Sequence, residues 1–280
     1  MKVVYQRSSQ ATKNKAPTKL FLIDHDGTLC QTNDNAYDSL VAAIKEASHF
    51  FGVDTTHLED NWNQLFSSTT GTSEKFLGKV LFYKLNIQQD QLDNFLKRFY
   101  QSRANWYANM RAHGEYVQDT YYPDALQMIE YISQSENSLL MMVTGNPSQV
   151  IEQRFASSLR RFFSNGSDEL FGAFGEEAET RQDLIDIAVQ KANKHFCKFE
   201  ANKDDNGFID NVYYIGDSRA DFFAGLKAKV KTIWIPSRQL QAFKQVASED
   251  SISFIETHLS EQVCISNSLE SEQVIKFLDL

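Results

Sequence analysis

The sequence predicts an α/β fold: a Rossmann-like parallel sheet core with an inserted bundle of α-helices as a cap. Apolar runs of strand length alternate with helical segments, as in parallel sheets built with crossover helices. Three of these runs, 20–23, 139–143 and 212–215, end in polar clusters. Four consecutive amphipathic helices follow the first strand. We therefore expect a ligand site at the carboxyl edge of the sheet, with helices above it.

Changes in composition divide the chain into three parts. Residues 1–18 are basic and polar without acidic residues, and we interpret them as a flexible tail. Residues 19–32 and 118–280 form the expected α/β core domain, and residues 33–117 the helical cap domain. The core is also expected to hold strands at 170–174, 230–235 and 262–266, with late helices near 238–247 and after Ser268.

Composition limits the classes of protein to consider. A net charge of −9 over 280 residues gives no support to nucleic-acid or anionic-membrane binding. No apolar run is long enough to cross a bilayer, and the first residues lack the apolar core of a signal peptide. Three widely separated cysteines indicate neither a disulfide scaffold nor a zinc site. We expect a cytoplasmic protein, monomer or homodimer.

The first polar cluster is Asp24-His-Asp-Gly-Thr-Leu29, directly after the apolar run 20–23. Two carboxylates one residue apart on an extended chain point to opposite sides, so Asp24 and Asp26 converge only if the chain bends. Gly27 makes such a bend easy. Asp-Gly is also a common solvated turn, but an apolar strand, Asp-x-Asp and Gly-Thr together indicate a functional site.

A second acidic pair, Asp217 and Asp221, follows the strand 212–215. Carboxylates that converge on one sheet edge repel each other unless a cation is present. Oxygen ligands without His or Cys favour Mg²⁺ over zinc. The pattern therefore predicts a magnesium site.

Phosphate-binding groups are predicted beside that site. Thr144, Gly145 and Asn146 follow the strand 139–143, and Pro147 is expected to open a helix with Asn146 as its cap. Helix N-termini favour anions, so Thr144 and these amides could cradle a phosphate. Arg181, at the start of another helix, could neutralise phosphoryl oxygens.

At these residues the chain resembles the haloacid dehalogenase superfamily of phosphohydrolases. Asp24-His-Asp-Gly-Thr-Leu29 is similar to its first motif, Val143-Thr144-Gly-Asn to its second, and Ile215-Gly-Asp-Ser-Arg-Ala-Asp221 to its fourth. The inserted helices resemble the C1 cap of the subgroup that includes phosphoglycolate phosphatase and β-phosphoglucomutase.

The resemblance implies a role for each residue. Asp24 would attack phosphorus to give an aspartyl-phosphate, and Asp26 would protonate the leaving oxygen and then activate water. Thr144 would bind the phosphoryl group. Mg²⁺ would be held by the Asp24 side chain, the Asp26 backbone carbonyl and Asp217, with Asp221 as a further ligand or support.

The third motif usually supplies a lysine, and here the sequence offers Arg181 instead. Lysines 191, 194, 198 and 203 are rivals, although lysines in such positions are more often solvated. We expect His25 to be non-catalytic, with its side chain pointing away from the metal. In the cap, residues 67–73 could supply a substrate-reading loop, and Trp106, Tyr107, Arg111 and His113 could face the cleft, although core packing is favoured for the aromatics.

The resulting functional expectation is a Mg²⁺-dependent phosphatase of a small phosphorylated metabolite, phosphoglycolate or a sugar phosphate. Asp26 favours phosphoryl transfer over carbon–halogen cleavage, which has no use for a second aspartate. A sugar-phosphate mutase shares the motifs and stays an alternative. A catalytically silent regulatory module would be expected to lose Asp24, Asp26 or Asp217, and all three are present.

Overall fold

The computed structural model describes residues 17–31, 33–59, 61–69, 71–164, 169–195, 199–204, 207–236 and 261–278, with the backbone alone at 67 and 68. Most of the predicted tail, the predicted helix near 238–247 and Lys198 lie outside these ranges. Within the described part of the chain, no helix has the length and apolarity that a membrane crossing requires.

In the described ranges, six parallel strands form one sheet in the order β3-β2-β1-β4-β5-β6. The strands are β1 (Lys19–Ile23), β2 (Ser138–Val143), β3 (Gly172–Ala173), β4 (Ile209–Gly216), β5 (Val230–Trp234) and β6 (Val263–Ile265). Helices flank the sheet, so the predicted fold class is confirmed. Because β1 lies between β2 and β4, the three strands that precede the polar clusters are neighbours.

In the described part of the inserted segment, the α-helices are α1 (Asp34–Phe50), α2 (Thr56–Glu59), α3 (Trp62–Thr69), α4 (Glu74–Lys84) and α5 (Leu92–Ala112). The remaining helices accompany the strands: α6 (Pro123–Gln134), α7 (Ser148–Arg154), α8 (Ser157–Arg160), α9 (Arg181–His195), α10 (Arg219–Lys227) and α11 (Glu272–Leu278).

Among the described residues, the three larger hydrophobic clusters lie one on each face of the sheet and one among the inserted helices, and a small fourth cluster contains Phe222, Trp234 and Val263. Alternate residues of β1 face opposite clusters: Phe21 and Ile23 belong to one, Leu20 and Leu22 to the other. All four are fully buried, as expected for a strand covered on both faces. This packing fixes where β1 ends and therefore where Asp24 lies.

The inserted helices begin and end at adjacent points of the core. Asn33, just before α1, donates from Nδ2 to Asp119 Oδ1 at 2.8 Å, and Asp119 lies on the returning segment. Asn35 Nδ2 donates to the Val117 carbonyl at 3.0 Å. Side-chain hydrogen bonds thus join the outgoing and returning chain segments.

The predicted helix start at Pro147 is wrong. Pro147 precedes α7, and Phe155 and Ala156 adopt extended backbone between α7 and α8. The break turns Phe155 into the core beside Phe163, with ring centroids 5.3 Å apart.

Candidate active site

The ends of β1, β2 and β4 bring together the residues that the sequence singles out. The Asp24 amide donates to the Ile215 carbonyl at 3.0 Å, so the chain is still paired with β4 where β1 ends. One residue beyond Gly216, the last of β4, comes Asp217. Parallel strands lie about 4.8 Å apart, which places residues at neighbouring strand ends within contact distance.

Gly27 is needed for this approach. Its φ is +76°, and a Cβ built on it would lie 2.2 Å from Asp217 Oδ2. The next residue, Thr28, donates from Oγ1 to Asp217 Oδ1 at 3.2 Å. The turn after Asp26 therefore packs directly on Asp217.

Three carboxylates form a buried acidic cluster, because oxygens of Asp24, Asp217 and Asp221 all lie within 4.8 Å of one another. Burial raises the pKa of Asp24 well above its usual range; Arg181 opposes this rise, while Asp221 and Asp217 add to it. Buried carboxylates at this separation need a compensating cation. The oxygen-only set suits Mg²⁺, so the residues present fit that metal.

The side chain of Asp221 also has a structural role. It forms a capping box with Ser218 at the start of α10, and the Tyr214 hydroxyl donates to its Oδ1 at 2.5 Å. The Ser218 amide donates to Asp221 Oδ2 at 3.0 Å. These contacts fix the carboxylate in orientation, which favours a supporting role behind Asp24 and Asp217.

Arg181 supplies the cation of the site. As the first residue of α9, it donates from its two terminal nitrogens to Asp24 Oδ1 at 2.9 Å and Oδ2 at 3.4 Å. Although burial alone would lower the pKa of Arg181, Asp24 and other neighbours raise it. Lys191, a rival for this role, instead donates to the Gly172 carbonyl at 2.8 Å and pairs with Glu177.

The segment after β2 differs from the prediction. Asn146 does not cap the helix; its Nδ2 donates to Asp26 Oδ2 at 2.6 Å and to Thr144 Oγ1 at 3.1 Å. Gly145 and Asn146 line the cavity described below, whereas Thr144 does not and is fully buried. The contact of the Thr144 hydroxyl with phosphate stays a prediction, and in this structure that hydroxyl accepts from the amide and Nδ2 of Asn146.

At the start of α7, where a phosphate cradle is predicted, Ser148 is hydrogen-bonded to a carboxylate of the protein. The Ser148 amide donates to both carboxylate oxygens of Glu176, at 3.1 and 3.0 Å, and the Ser148 hydroxyl contacts Oε1. Burial raises the pKa of Glu176, while these hydrogen bonds oppose the rise. A side chain of the protein already occupies the place that was predicted for the anion.

Arg154 is a residue of the candidate site that sequence reasoning missed. It is fully buried and holds the Asp26 carboxylate with two hydrogen bonds, at 3.0 and 2.5 Å. Its Nε donates to Asp119 Oδ2 at 3.0 Å. Burial would raise the pKa of Asp26, but Arg154, with help from His25, holds it well below its usual range. A charged residue on the apolar stripe of Val150 and Ile151 was the available signal.

No protein-family model and no curated protein matches this sequence. Solved structures do match. A hydrolase from Pseudomonas syringae is 16% identical, with 88% of this chain and 100% of that one covered and a TM-score of 0.50. A mutant of CbbY from Rhodobacter sphaeroides, in complex with xylulose-(1,5)bisphosphate, is 15% identical over 78% and 85% of the two chains, also with a TM-score of 0.50.

The chain has the haloacid dehalogenase fold. A 2-haloacid dehalogenase from Pseudomonas syringae pv. Tomato is another match, 16% identical over 93% of this chain and 98% of that one, with a TM-score of 0.46. The sheet and its flanking helices agree with the resemblance that the motifs indicate.

In this haloacid dehalogenase fold, a cavity of about 230 Å³ lies between the sheet edge and the inserted helices. Its lining comes from both parts of the chain: Asp24, Asp26, Ala36, Leu40, Phe66, Thr69, Gly71, Thr72, Ser73, Glu74, Leu77, Arg103, Gly145, Asn146, Arg181, Asp217 and Ser218. All the acidic site residues except Asp221 are in this set. The cavity is the candidate active site.

The start of α4 is docked on the core beside the cavity. The amides of Glu74 and Lys75 donate to the carbonyls of Gly145 and Gly175 at 2.9 and 3.1 Å. A Cβ at Gly145 would lie 2.5 Å from the Thr72 carbonyl, so the two segments approach closely. The described part of the predicted loop 67–73 therefore reaches the cavity.

Of the side chains expected on α5 and after it, none lines the cavity. Tyr107 is buried and donates to the Asn35 carbonyl at 3.3 Å, and Arg111 contacts the Gln153 carbonyl instead. Arg103, one turn before Tyr107, is the residue of α5 that lines it. His25 is absent from the lining as expected, since it is fully buried with its ring 5.9 Å from that of Phe155.

Proposed function

We propose that this chain is a Mg²⁺-dependent phosphatase that hydrolyses a small phosphomonoester through an aspartyl-phosphate. The observation that carries the proposal is the buried cluster of Asp24, Asp217 and Asp221, paired with Arg181 at the mouth of a small cavity. The match to CbbY, which binds a sugar bisphosphate, supports the fold on which the proposal is based.

Asp24 is the proposed nucleophile. Its carboxylate is 3% exposed, and both its oxygens contact Arg181, which holds the side chain in one orientation. An Oδ atom forms the bond to phosphorus as the ester oxygen departs, and Arg181 is placed to stabilise the phosphoryl oxygens during that step.

Mg²⁺ would be held by Asp24, Asp217 and the backbone carbonyl of Asp26, with Asp221 behind them. When bound, the ion supplies charge neutralisation for the phosphate and for the acidic cluster.

Asp26 is the proposed proton carrier. Paired with Arg154 it is ionised, the form that accepts a proton from the water that attacks the aspartyl-phosphate. Protonation of the leaving oxygen requires the opposite form. We therefore propose that in the first step the Asp26 carboxylate leaves Arg154, takes up a proton from solvent and donates it to the leaving oxygen. The carboxylate formed in this way then accepts a proton from the attacking water.

The test is phosphate release from p-nitrophenyl phosphate and from a panel of phosphorylated metabolites, with and without Mg²⁺. We expect turnover that EDTA abolishes and that Asp24→Asn lowers by at least about a thousandfold, because the amide cannot form the intermediate. Asp90→Asn, which removes an exposed carboxylate remote from the cavity lining, is the matched control and should keep full activity.

Free phosphate also separates the proposal from its alternatives. A mutase returns the phosphoryl group to the sugar, and a silent module releases none. Metal-dependent turnover that survives Asp24→Asn would contradict the assignment of the nucleophile, and absence of turnover over the whole panel would contradict the proposal.

A further inference from the structure

An ion pair lies on the cap side of the cavity and takes no part in the chemistry proposed above. Glu74, the first residue of α4, contacts the guanidinium of Arg103 from α5. Both residues line the cavity, yet their side chains are only 9% and 2% exposed. Charged side chains are rarely buried so deeply unless they are paired, as these two are.

Arg103 is satisfied by the protein. Its Nε donates to Ser39 Oγ at 3.1 Å and its terminal nitrogen Nη1 to Asn146 Oδ1 at 3.1 Å, in addition to the contact with Glu74. Glu74 is not satisfied: among the described residues, none donates a hydrogen bond to its buried Oε2. A buried acceptor without a donor is costly, so Oε2 points to a ligand that supplies one.

The chemistry of that ligand follows from what can donate. A hydroxyl can donate to Oε2, whereas a carboxylate or a phosphate dianion offers only acceptors and would be repelled by Glu74. An ammonium could donate, but the adjacent Arg103 guanidinium disfavours a second cation. The pair as a whole is neutral and therefore favours a neutral donor.

The charge of the whole cavity indicates the same class. Its lining contains four carboxylates, Asp24, Asp26, Glu74 and Asp217, against two guanidiniums, Arg103 and Arg181. The two unpaired negative charges would be neutralised by a bound divalent cation. The phosphate dianion of a substrate would make the cavity negative again, so a second anionic group on the substrate would be repelled. Apolar Leu40, Phe66 and Leu77 complete the wall, and they suit the carbon skeleton of a polyol.

We infer that the cavity takes phosphomonoesters of neutral polyols, and that the Glu74–Arg103 pair selects them over esters that carry a second anion. This inference rests on the proposed function, because it names the class of phosphomonoester that the same site accepts. Among the candidate substrates, it favours a sugar or polyol phosphate over phosphoglycolate. Glu74 is thus a specificity-determining residue rather than a catalytic one.

The test uses two compounds that differ only in the group farthest from phosphate: glycerol 3-phosphate ends in a hydroxymethyl group and 3-phosphoglycerate in a carboxylate. We expect kcat/KM and Kd, the latter from calorimetry with Mg²⁺, to favour glycerol 3-phosphate by at least about tenfold. Glu74→Gln keeps the size of the side chain and removes its charge. For both kcat/KM and Kd, this substitution should shift the ratio between glycerol 3-phosphate and 3-phosphoglycerate by about tenfold in favour of 3-phosphoglycerate.

The ratio within one variant cancels any general loss of activity or folding. Glu179→Gln, which removes a carboxylate paired with Lys79 outside the cavity, is the control and should leave the ratio unchanged. Binding that discriminates between the two compounds, with no turnover of either one or of the metabolite panel, would contradict the proposed phosphatase activity and keep this inference. Turnover with a preference for 3-phosphoglycerate, a ratio unmoved by Glu74→Gln, or binding of neither compound would overturn the inference.

Discussion

Arg154→Met is expected to destabilise the protein strongly. The arginine makes three hydrogen bonds to two carboxylates, and its side chain is 0% exposed, with Asp119 at 1% and Asp26 at 25%. Methionine fills similar space but leaves the buried charge of Asp119 unpaired. Removing one partner of a buried ion pair costs about 3–5 kcal/mol. For a chain of this size, that loss lowers Tm by roughly 6–20 °C.

Urea denaturation measures this loss as a change in the free energy of unfolding at constant m-value. Arg160→Met is the matched control: its pair with Glu152 is 29% and 35% exposed, so we expect a loss below about 1 kcal/mol. A loss below about 1 kcal/mol for Arg154→Met as well would refute the reasoning that burial makes this ion pair necessary for stability.

The pH dependence gives a second check of the same pair. Arg154 holds the folded pKa of Asp26 below its unfolded value, so the stabilisation is complete above the unfolded pKa of about 3.9 and is lost as pH falls through the folded one. The difference in unfolding free energy between the wild type and Arg154→Met should therefore narrow below about pH 4. A difference that grows on acidification would contradict the assignment.

Two further substitutions test the site itself. Gly27→Ala places a Cβ against Asp217 and should reduce the Mg²⁺-induced rise in Tm by more than half. Gly52→Ala is the control, because Gly52 has a similar positive φ but open space around it, and it should leave that rise intact. An equal rise in the two variants would contradict the assignment of the metal site. Arg181→Lys keeps the charge but loses the contact with both carboxylate oxygens of Asp24, so kcat should fall by about 10²-fold. Lys191→Met should leave kcat unchanged. The reverse pattern would assign the role of the third motif to Lys191.

The fold was predictable because its signals are local. Each strand that reaches the site contains a continuous apolar run, and a run such as 20–23 fits a strand covered on both faces. The carboxyl-edge rule then brings Asp24 and Asp217 together without knowledge of the sheet order. The fold class could therefore be predicted from these runs, and the strands approximately located: the run 212–215 lies within β4 (Ile209–Gly216), and β3 (Gly172–Ala173) is shorter than the predicted 170–174.

What the sequence could not give depends on contacts between distant segments. Arg154 is 128 residues from Asp26, and the stripe of its short helix predicts burial but not a partner. The amides at the start of α7 looked open because nothing in the sequence places Glu176 over them. Arg103 was missed because the spacing of residues in α5 predicts which face is buried, but not that the cavity lies beside Arg103.

The hydrogen bond between Asn33 and Asp119 has a consequence for modularity. These two residues are 86 positions apart in the chain, yet their side chains meet at 2.8 Å, so the inserted helices leave the path of the core nearly where they rejoin it. A loop of a few residues could span the gap, so a different set of inserted helices could occupy this position without a change in the strand order of the sheet. The range of substrates could thus change through replacement of the inserted helices, while the carboxylates of Asp24 and Asp217 stay the same.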